Sequence, residues 1–367
     1  MMTLLNQEFD FLRKTGRAAS FGSSEGRFPF FTSSKEVSKR TDITDCIGPA
    51  LIFGPDPSTS VHYAEGPFLI RHVFYVIVPK SGKRDDAKFF FYFLRQNIHV
   101  IESGFRGAGL KHVSKKHLEM ISLPNGRGID RRKATAILEK ADQVRSKQKS
   151  LVGLVDDLIK SEFVARFGTP TSNTKSLPTA PLKHFGNVVT GNTPPRKDPE
   201  NYGEGIEWIK SDNINTPSHF LTSATESLSE TGMRLGRAAP SGSTLVTCIA
   251  GSPSAIGNAA LADRKVAFNQ QINAVIPNDQ TDSFFLYSQF LVGKSLIQAS
   301  STKSMKGMVS KGKFQEIAFL QPPHNDQVEF GRFFSRTIAM AQRLEVECLE
   351  SDQLFGSLAQ RAFLGEL

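Results

Sequence analysis

Hydrophobic positions recur in alternating steps of four and three along two stretches of the chain. In residues 131–168 the stripe is Ile137, Ala141, Val144, Leu151, Val155 and Leu158, with polar Gln148 at the one intervening position. In residues 327–367 it is Phe330, Phe334, Ala341, Leu344, Cys348, Phe355 and Leu358, with Ser351 as its weak position. That rhythm is the seam of a helix that buries one face against another helix. Neither stretch contains proline, both are rich in helix formers, and both run far past an ordinary helix of about 11–12 residues. Each is therefore predicted to be one long helix, and each is the other's nearest candidate partner.

Shorter apolar runs lie between them. GRFPFFTSSK, ALIFGPDPSTSVHY and EGPFLIRHVFYVIVPK read as strands broken by Gly and Pro turns, with residues 73–78 the strongest, and KFFFYFLRQNI reads as a short helix. Residues 1–26 read as a polar, Gly/Ser-rich loop feeding the first strand, and residues 104–116, GFRGAGLKHVSKK, as a glycine-rich basic loop. After a polar, proline-containing linker at 169–181 the order repeats: TGNTPP, the strand EGIEWIKSDNI, STLVTCIAG, NAALADRKVAFNQQINAVIP, the short helix FFLYSQFLVGKSL and the basic loop STKSMKGMVSKGK. FPFFTSS aligns over IEWIKSD.

A gap-free shift of 196 positions carries Val113 to Val309, Ser114 to Ser310, Lys115 to Lys311, Ile121 to Ile317, Asp156 to Asp352 and Phe167 to Phe363. The chain is thus expected to be two copies of a mixed α/β (α+β) unit, each followed by a long helix, in a pseudo-two-fold repeat. The expected boundaries are 1–128 and 169–323 for the globular units, and 129–168 and 324–367 for the helices.

Composition sharpens the picture. With 367 residues, 39% of them hydrophobic, the chain can build two or three cores. A formal charge of +9 and a pI near 9.4 imply an anionic partner. No apolar run approaches about 18 residues and the N-terminus is not signal-like, so nucleic acid is expected rather than a membrane. Cys46, Cys248 and Cys348 are too isolated for a disulfide framework or a zinc site, in keeping with a reducing cytoplasm. Phenylalanine is abundant at 29 residues, and the FFFYF run at 89–93 is expected in a core rather than on a base-stacking platform.

Catalytic constellations are missing. VGKS at 292–295 lacks the leading glycine of a Walker A loop, position 288 being serine. There is no Asn-Pro-Pro-aromatic methyltransferase motif, no metal-spaced His pair and no nucleophile elbow, and His62, His112 and His219 read as ordinary surface or loop histidines. Binding chemistry remains. Arg106, Lys111, Lys115 and Lys116 in one basic loop, and Lys303, Lys306, Lys311 and Lys313 in the other, join cations to glycines that allow close approach to phosphate. At the strand exits, Ser33, Ser34 and Lys35 in the first unit and Lys210, Ser211 and Asp212 in the second supply donors and acceptors of the kind that read base edges.

This arrangement resembles the specificity subunit of a type I restriction-modification system over essentially the whole chain. The resemblance is carried by TGNTPP, EGIEWIKSDNI, LVTCIAGSPSAIGNAAL, FNQQINAV, the K-G-x-V-S-K run at 306–311, FLQPPHNDQ and RAFLGEL, and in the first unit by GRFPFFTSS, VHYAEGPF and GFRGAGLKHVSKKHLEMISLP. It implies a phage-defence protein without catalysis of its own, whose two target-recognition domains read a split, asymmetric DNA target and whose antiparallel helices set the spacing. It further implies assembly with two modification (methyltransferase) subunits bringing S-adenosylmethionine, and with restriction subunits using ATP and Mg2+. No cofactor is expected in this chain. A coiled-coil interaction scaffold without sequence-specific DNA binding is the alternative.

Overall fold

A computed structural model describes residues 2–13, 16–33, 37–54, 61–106, 112–124, 129–302 and 307–367. The chain divides into two compact units, residues 1–149 with 345–367 (unit 1) and residues 150–344 (unit 2). This division cuts through both long helices instead of falling at the expected boundaries. The physical reason is that a helix has no core of its own, so each half buries its stripe against the nearest sheet and helix.

Unit 1 opens with β1 (Met2–Leu4), α1 (Leu5–Glu8), β2 (Phe9–Phe11), β3 (Phe28–Phe31), β4 (Lys39–Thr41) and β5 (Cys46–Ile47). It continues with β6 (Ala50–Phe53), β7 (His62–Ala64), β8 (Pro67–Ile70), β9 (Tyr75–Pro79), α2 (Arg84–Gln96) and α3 (His99–Glu102). Then come β10 (Phe105–Arg106), β11 (His112–Val113), α4 (Lys115–Glu119), β12 (Ser122–Pro124) and the long α5 (Arg131–Phe167), of which unit 1 holds the first part.

Unit 2 follows with β13 (Thr179–Pro181), β14 (Gly186–Thr190), β15 (Tyr202–Ile209), β16 (Ser227–Leu228), α6 (Glu230–Leu235) and β17 (Ala238–Ala239). Next are β18 (Thr244–Thr247), β19 (Ile249–Ala250), β20 (Ala259–Leu261), β21 (Val266–Phe268), β22 (Ile272–Pro277) and α7 (Ser283–Ala299). Last are β23 (Gly307–Met308), α8 (Lys311–Gln315), β24 (Ala318–Leu320) and α9 (His324–Leu364), whose end belongs to unit 1.

The two units share one topology. Sheet order β2-β9-β6-β7 in unit 1 matches β14-β22-β18-β20 in unit 2, and β4-β3-β8-β5 matches β16-β15-β21-β17. In each second sheet the central pair is parallel, Phe30 opposite Leu69 and Trp208 opposite Ala267, so Phe30 and Trp208 hold the same place, as in the alignment of FPFFTSS over IEWIKSD. The shift of 196 also holds locally. Ser114 caps α4 by accepting from the His117 N–H at 3.1 Å, and Ser310 caps α8 by accepting from Lys313 at 3.4 Å. Leu5 N–H donates to the Ile121 carbonyl and Leu182 N–H to that of Ile317, both at 2.9 Å.

The core of unit 1 confirms the reading of residues 89–93. Phe89 and Phe90 are fully buried on α2 and Tyr92 nearly so, beside Leu5, Phe9 and Leu138. The N-terminal reading is corrected. Residues 2–11 are not a loop but two short strands around one helical turn, pairing with β12 and β9 and burying Leu5 and Phe9. These strands have three residues each, too short for periodicity to show.

On α9 the expected stripe lies inward: Phe330, Phe334, Ala341, Cys348 and Phe355 are buried, with Leu344 and Leu358 half-buried. On α5 only Val155 of the expected seam is buried. Ile137 and Ala141 are half-buried, while Val144, Leu151 and Leu158 are 45%, 49% and 45% exposed. The inward heptad is one residue further round, with Leu138 and Ile159 fully buried and Arg145 and Val152 partly so. One residue is about 100° on a helix of 3.6 residues per turn. Each unit pairs its helix segments antiparallel. In unit 1 the Ser351 hydroxyl donates to Gln148 at 2.6 Å and Lys149 pairs with Asp352, and in unit 2 Phe163 meets Phe330 and Arg166 meets Glu329.

Candidate nucleic-acid interface

The basic segments fold differently from the expected loops. Lys115 and Lys116 lie on α4, and Lys311 and Lys313 on α8, just past the serine caps, all exposed. Buried Leu118 and Phe314 anchor these short helices, so their cations are held outward. Lys115 pairs with Glu119 at 3.4 Å and lies over the Phe11 ring, whereas Lys116, Lys311 and Lys313 make no ion pair with a described residue. Arg106 turns back on its own hairpin, donating to the Ser103 and Phe105 carbonyls. Lys111, Lys303 and Lys306 lie outside the described residues.

The strand exits are built more firmly. In unit 2, Trp208 is buried and donates from Nε1 to the Asn192 carbonyl at 3.3 Å, tying the TGNTPP segment to β15. Lys210 lies over the Trp208 ring, and Arg196 stacks over both Tyr202, at 4.3 Å, and Trp208, at 4.9 Å. One carboxylate holds both cations: Glu226 is 2.8 Å from Arg196 and 2.9 Å from Lys210. Arg196 first and Lys210 second lower the Glu226 pKa, so the carboxylate stays charged and fixes the two heads in place. Ser211 begins a 3-10 turn, Asp212 is exposed, and Asn213 is buried, donating to the Ser223 carbonyl at 2.9 Å.

In unit 1, Ser33 follows β3 and accepts from Arg71 at 2.7 Å, while Ser34 and Lys35 lie outside the described residues. GRAA takes the place of GNTP: Arg17 N–H donates to the Ile70 carbonyl as Asn192 N–H does to that of Phe268, both at 3.1 Å. By strand register Lys39 stands where unit 2 has Glu226, and its ammonium caps the Ala19 carbonyl at 2.5 Å. The two exits share one backbone frame and carry opposite charge at this position.

Within unit 2 the exit and the basic segment lie on one end. β23 pairs with β19, and the Ile249 N–H donates to Gln271. Two residues away, the Asn269 N–H donates to the Ile209 carbonyl at the end of β15. The sequence reading passed over Arg196, which TPPR displays beside an aromatic-rich strand, and Arg71, for which no local signal exists. His219, expected as a surface or loop histidine, does lie in a loop, but its ring is largely enclosed against Tyr287 and Phe334, because the segment 218–222 folds onto the sheet. Gly293 of VGKS marks a kink inside α7. Among the described residues no cluster of His, Cys, Asp and Glu could hold a metal, and no helix is long and apolar enough to cross a membrane.

Comparison with known proteins places this geometry. Residues 178–348 match the type I restriction modification DNA specificity domain. A curated relative, the type I restriction enzyme HindI specificity subunit of Haemophilus influenzae, is 32% identical over 133 residues. The match covers 36% of this chain and 27% of that subunit, well under two thirds of its length. Among solved structures, the S subunit of a type I restriction-modification system from M. genitalium superposes with a TM-score of 0.66 at 14% identity. It covers 99% of this chain and 96% of that one. A chain from a structure on complex assembly and conformational transition of the type I R-M system gives 0.54 at 16% identity, covering 88% and 83%.

Proposed function

We propose that this chain, a member of the type I restriction-modification specificity subunits whose residues 178–348 carry that family's DNA specificity domain, reads a bipartite, asymmetric DNA target without performing chemistry itself. The observation that carries this reading is the repeated frame with divergent strand exits, Lys39 in one unit and Glu226 in the other at the same register. One fold presenting two different sets of polar groups suits two different half-sites. The exposed Lys116, Lys311 and Lys313 supply phosphate contacts, and Arg196 with Lys210 are the groups aimed at the groove in unit 2. The long helices act as the spacer: α5 has 37 residues and α9 has 41. At 1.5 Å per residue each is roughly 50–60 Å long, ample for half-sites about one turn of DNA apart.

Partner docking has its own support. Val144 and Met340, and Leu354 and Leu158, are related by the same shift of 196, and all four are 45% exposed or more. Each unit thus shows an equivalent apolar strip on its helix segments, which suits two copies of one modification subunit. That subunit would bring S-adenosylmethionine, and restriction subunits ATP and Mg2+, in a cytoplasmic complex. The test is methylation-site sequencing in cells carrying the assembled system. Exchanging residues 182–320 for a relative's unit should change one half-site only, and inserting one heptad into α5 should alter the spacing and keep both half-sites. Duplex affinity of the chain should fall steeply with salt. A swap that changed both half-sites, or salt-insensitive binding, would favour the scaffold alternative.

A further inference from the structure

Unit 2 covers the edge of its main sheet with its own chain. Past β15 the segment 218–222 returns to lie along β20: the Leu261 N–H donates to the His219 carbonyl at 2.8 Å, and the Leu221 N–H donates to the Leu261 carbonyl at 3.0 Å. Phe220 forms a parallel bridge with Leu261. The His219 ring then drops against α7 and the long helices, its Nδ1 3.0 Å from the Tyr287 hydroxyl and its Nε2 2.9 Å from the Asp156 carboxylate. A short strand has been added to the sheet edge, with one ring as its anchor.

Unit 1 has the same edge, and among its described residues none adds a strand to it. The pair Ile52–His62 of β6 and β7 occupies the step that Leu245–Ala260 takes in β18 and β20, so Tyr63 turns its N–H and C=O outward as Leu261 does. No described residue bonds to either group. The connection that supplies the strand in unit 2 is longer: Trp208 is bonded to Glu226, 18 positions on, whereas Phe30 is paired with Lys39, nine positions on. Beside Tyr63 lies a cleft of about 1060 Å³ lined by His62, Lys88, Phe91, Tyr92 and Arg95 among others. Tyr92 stands where Tyr287 does, KFFFYFL lying over SFFLYSQ.

We propose that this edge of unit 1 receives an extended segment of a partner protein, paired parallel to β7, with an imidazole or aromatic ring set against Tyr92. Main-chain hydrogen bonds to Tyr63 would give affinity and the ring pocket specificity, which is how peptides add to exposed sheet edges. Two cations beside the ring pocket are already paired, Lys88 with Glu139 and Arg95 with Asp142, and a third, Lys147, is exposed at the cleft's margin, so the segment that fits beside Tyr63 is neutral and apolar around its ring, as Ser-His-Phe-Leu is in unit 2. The proposal goes beyond DNA reading and does not depend on it.

The probe is a synthetic peptide with the sequence of residues 216–224, TPSHFLTSA, added to the full chain. Saturable binding is expected in fluorescence anisotropy, with the Tyr63 amide slowed in hydrogen exchange when peptide is present. A peptide of scrambled order should bind at least tenfold more weakly. Tyr63→Pro, which removes the outward N–H at an edge position, and Phe91→Glu, which places a charge in the cleft, should each weaken binding by tenfold or more. Should Tyr63→Pro not fold, Phe91→Glu and the exchange of the parent chain decide. No saturable binding, a Tyr63 amide already protected in the free chain, or binding that leaves this amide unchanged would overturn the proposal.

Discussion

The two units bury equivalent segments of the long helices by different chemistry. In unit 2 the contact is aromatic: Phe163 lies 5.2 Å from Phe167, 5.7 Å from Phe285 and 5.4 Å from Phe330, ring centre to ring centre. In unit 1 it is partly ionic. Arg145 lies over the Phe355 ring at 4.1 Å, pairs with Asp142 and reaches Asp352 at 3.4 Å, and Ser351 bonds Gln148 beside it. Apolar packing is strong but nearly non-directional, whereas a polar layer contributes less and fixes which residues face each other. Asp352 and its counterpart Asp156, related by the shift of 196, show the divergence in one pair. The first serves Lys149 and Arg145 on the neighbouring helix, the second the inserted His219.

The largest effect that tests this contrast is Phe163→Ala. It should cost about 3–5 kcal/mol, because the cavity left among three rings cannot close. The loss should fall on unit 2, whose Trp208 is the single tryptophan of the chain and reports that unit in a fluorescence-monitored urea titration. Equal loss in unit 1, followed by hydrogen exchange of α2 amides, would show that the halves do not pack separately.

Arg145→Ala should cost less, about 1–3 kcal/mol, by stripping a half-buried cation from its carboxylates. Arg145→Met should recover most of it, since Met can cover Phe355 while Arg95 still holds Asp142 and Lys149 still holds Asp352. If Met were as damaging as Ala, the ionic layer of unit 1 would contribute stability and not merely register.

Acid should separate the units next. Burial lowers the His219 pKa, with Asp156 opposing in part. The unfolded imidazole takes up its proton near 6.5 while the folded one stays neutral, so the unfolded state binds more protons there. The stability of unit 2 is therefore full above that value and declines as pH falls through it. Lys149 and Arg145 depress the Asp352 pKa, so its contribution to unit 1 persists until pH drops below the ordinary carboxylate value of 3.8 and is lost as pH falls through the folded value. Trp208-monitored melts from pH 8 to pH 5 should show the decline, and His219→Phe should flatten it. An unchanged slope would remove His219 from the account.

Leu151→Asp should have the smallest effect on the isolated chain, within about 0.5 kcal/mol, because the side chain is 49% exposed. Its effect falls instead on the proposed association: copurification of the modification subunit should drop. Destabilisation by several kcal/mol would restore Leu151 to the intramolecular seam.

Much of this was legible in the chain. The shift of 196 matched Ser114 with Ser310, which cap α4 and α8, and Ile121 with Ile317, which precede the equivalent strands β12 and β24. The alignment of FPFFTSS over IEWIKSD found the equivalent strands β3 and β15, and the length of the long helices was plain, because all of these are local patterns of period two, period 3.6 or simple repetition. Tertiary structure alone decided which of two neighbouring stripes on α5 turns inward. The outward row Ile137, Val144, Leu151 and Leu158 is wholly apolar while the inward row Leu138, Arg145, Val152 and Ile159 holds an arginine, so periodicity favours the outward row, and only the faces offered by α9 and the sheets choose between positions about 100° apart. It also decided that Arg196 and Lys210 share Glu226, that the His219 ring is largely enclosed, and that no described residue covers the edge at Tyr63. Each of these depends on groups far apart in sequence, whose meeting no local periodicity records.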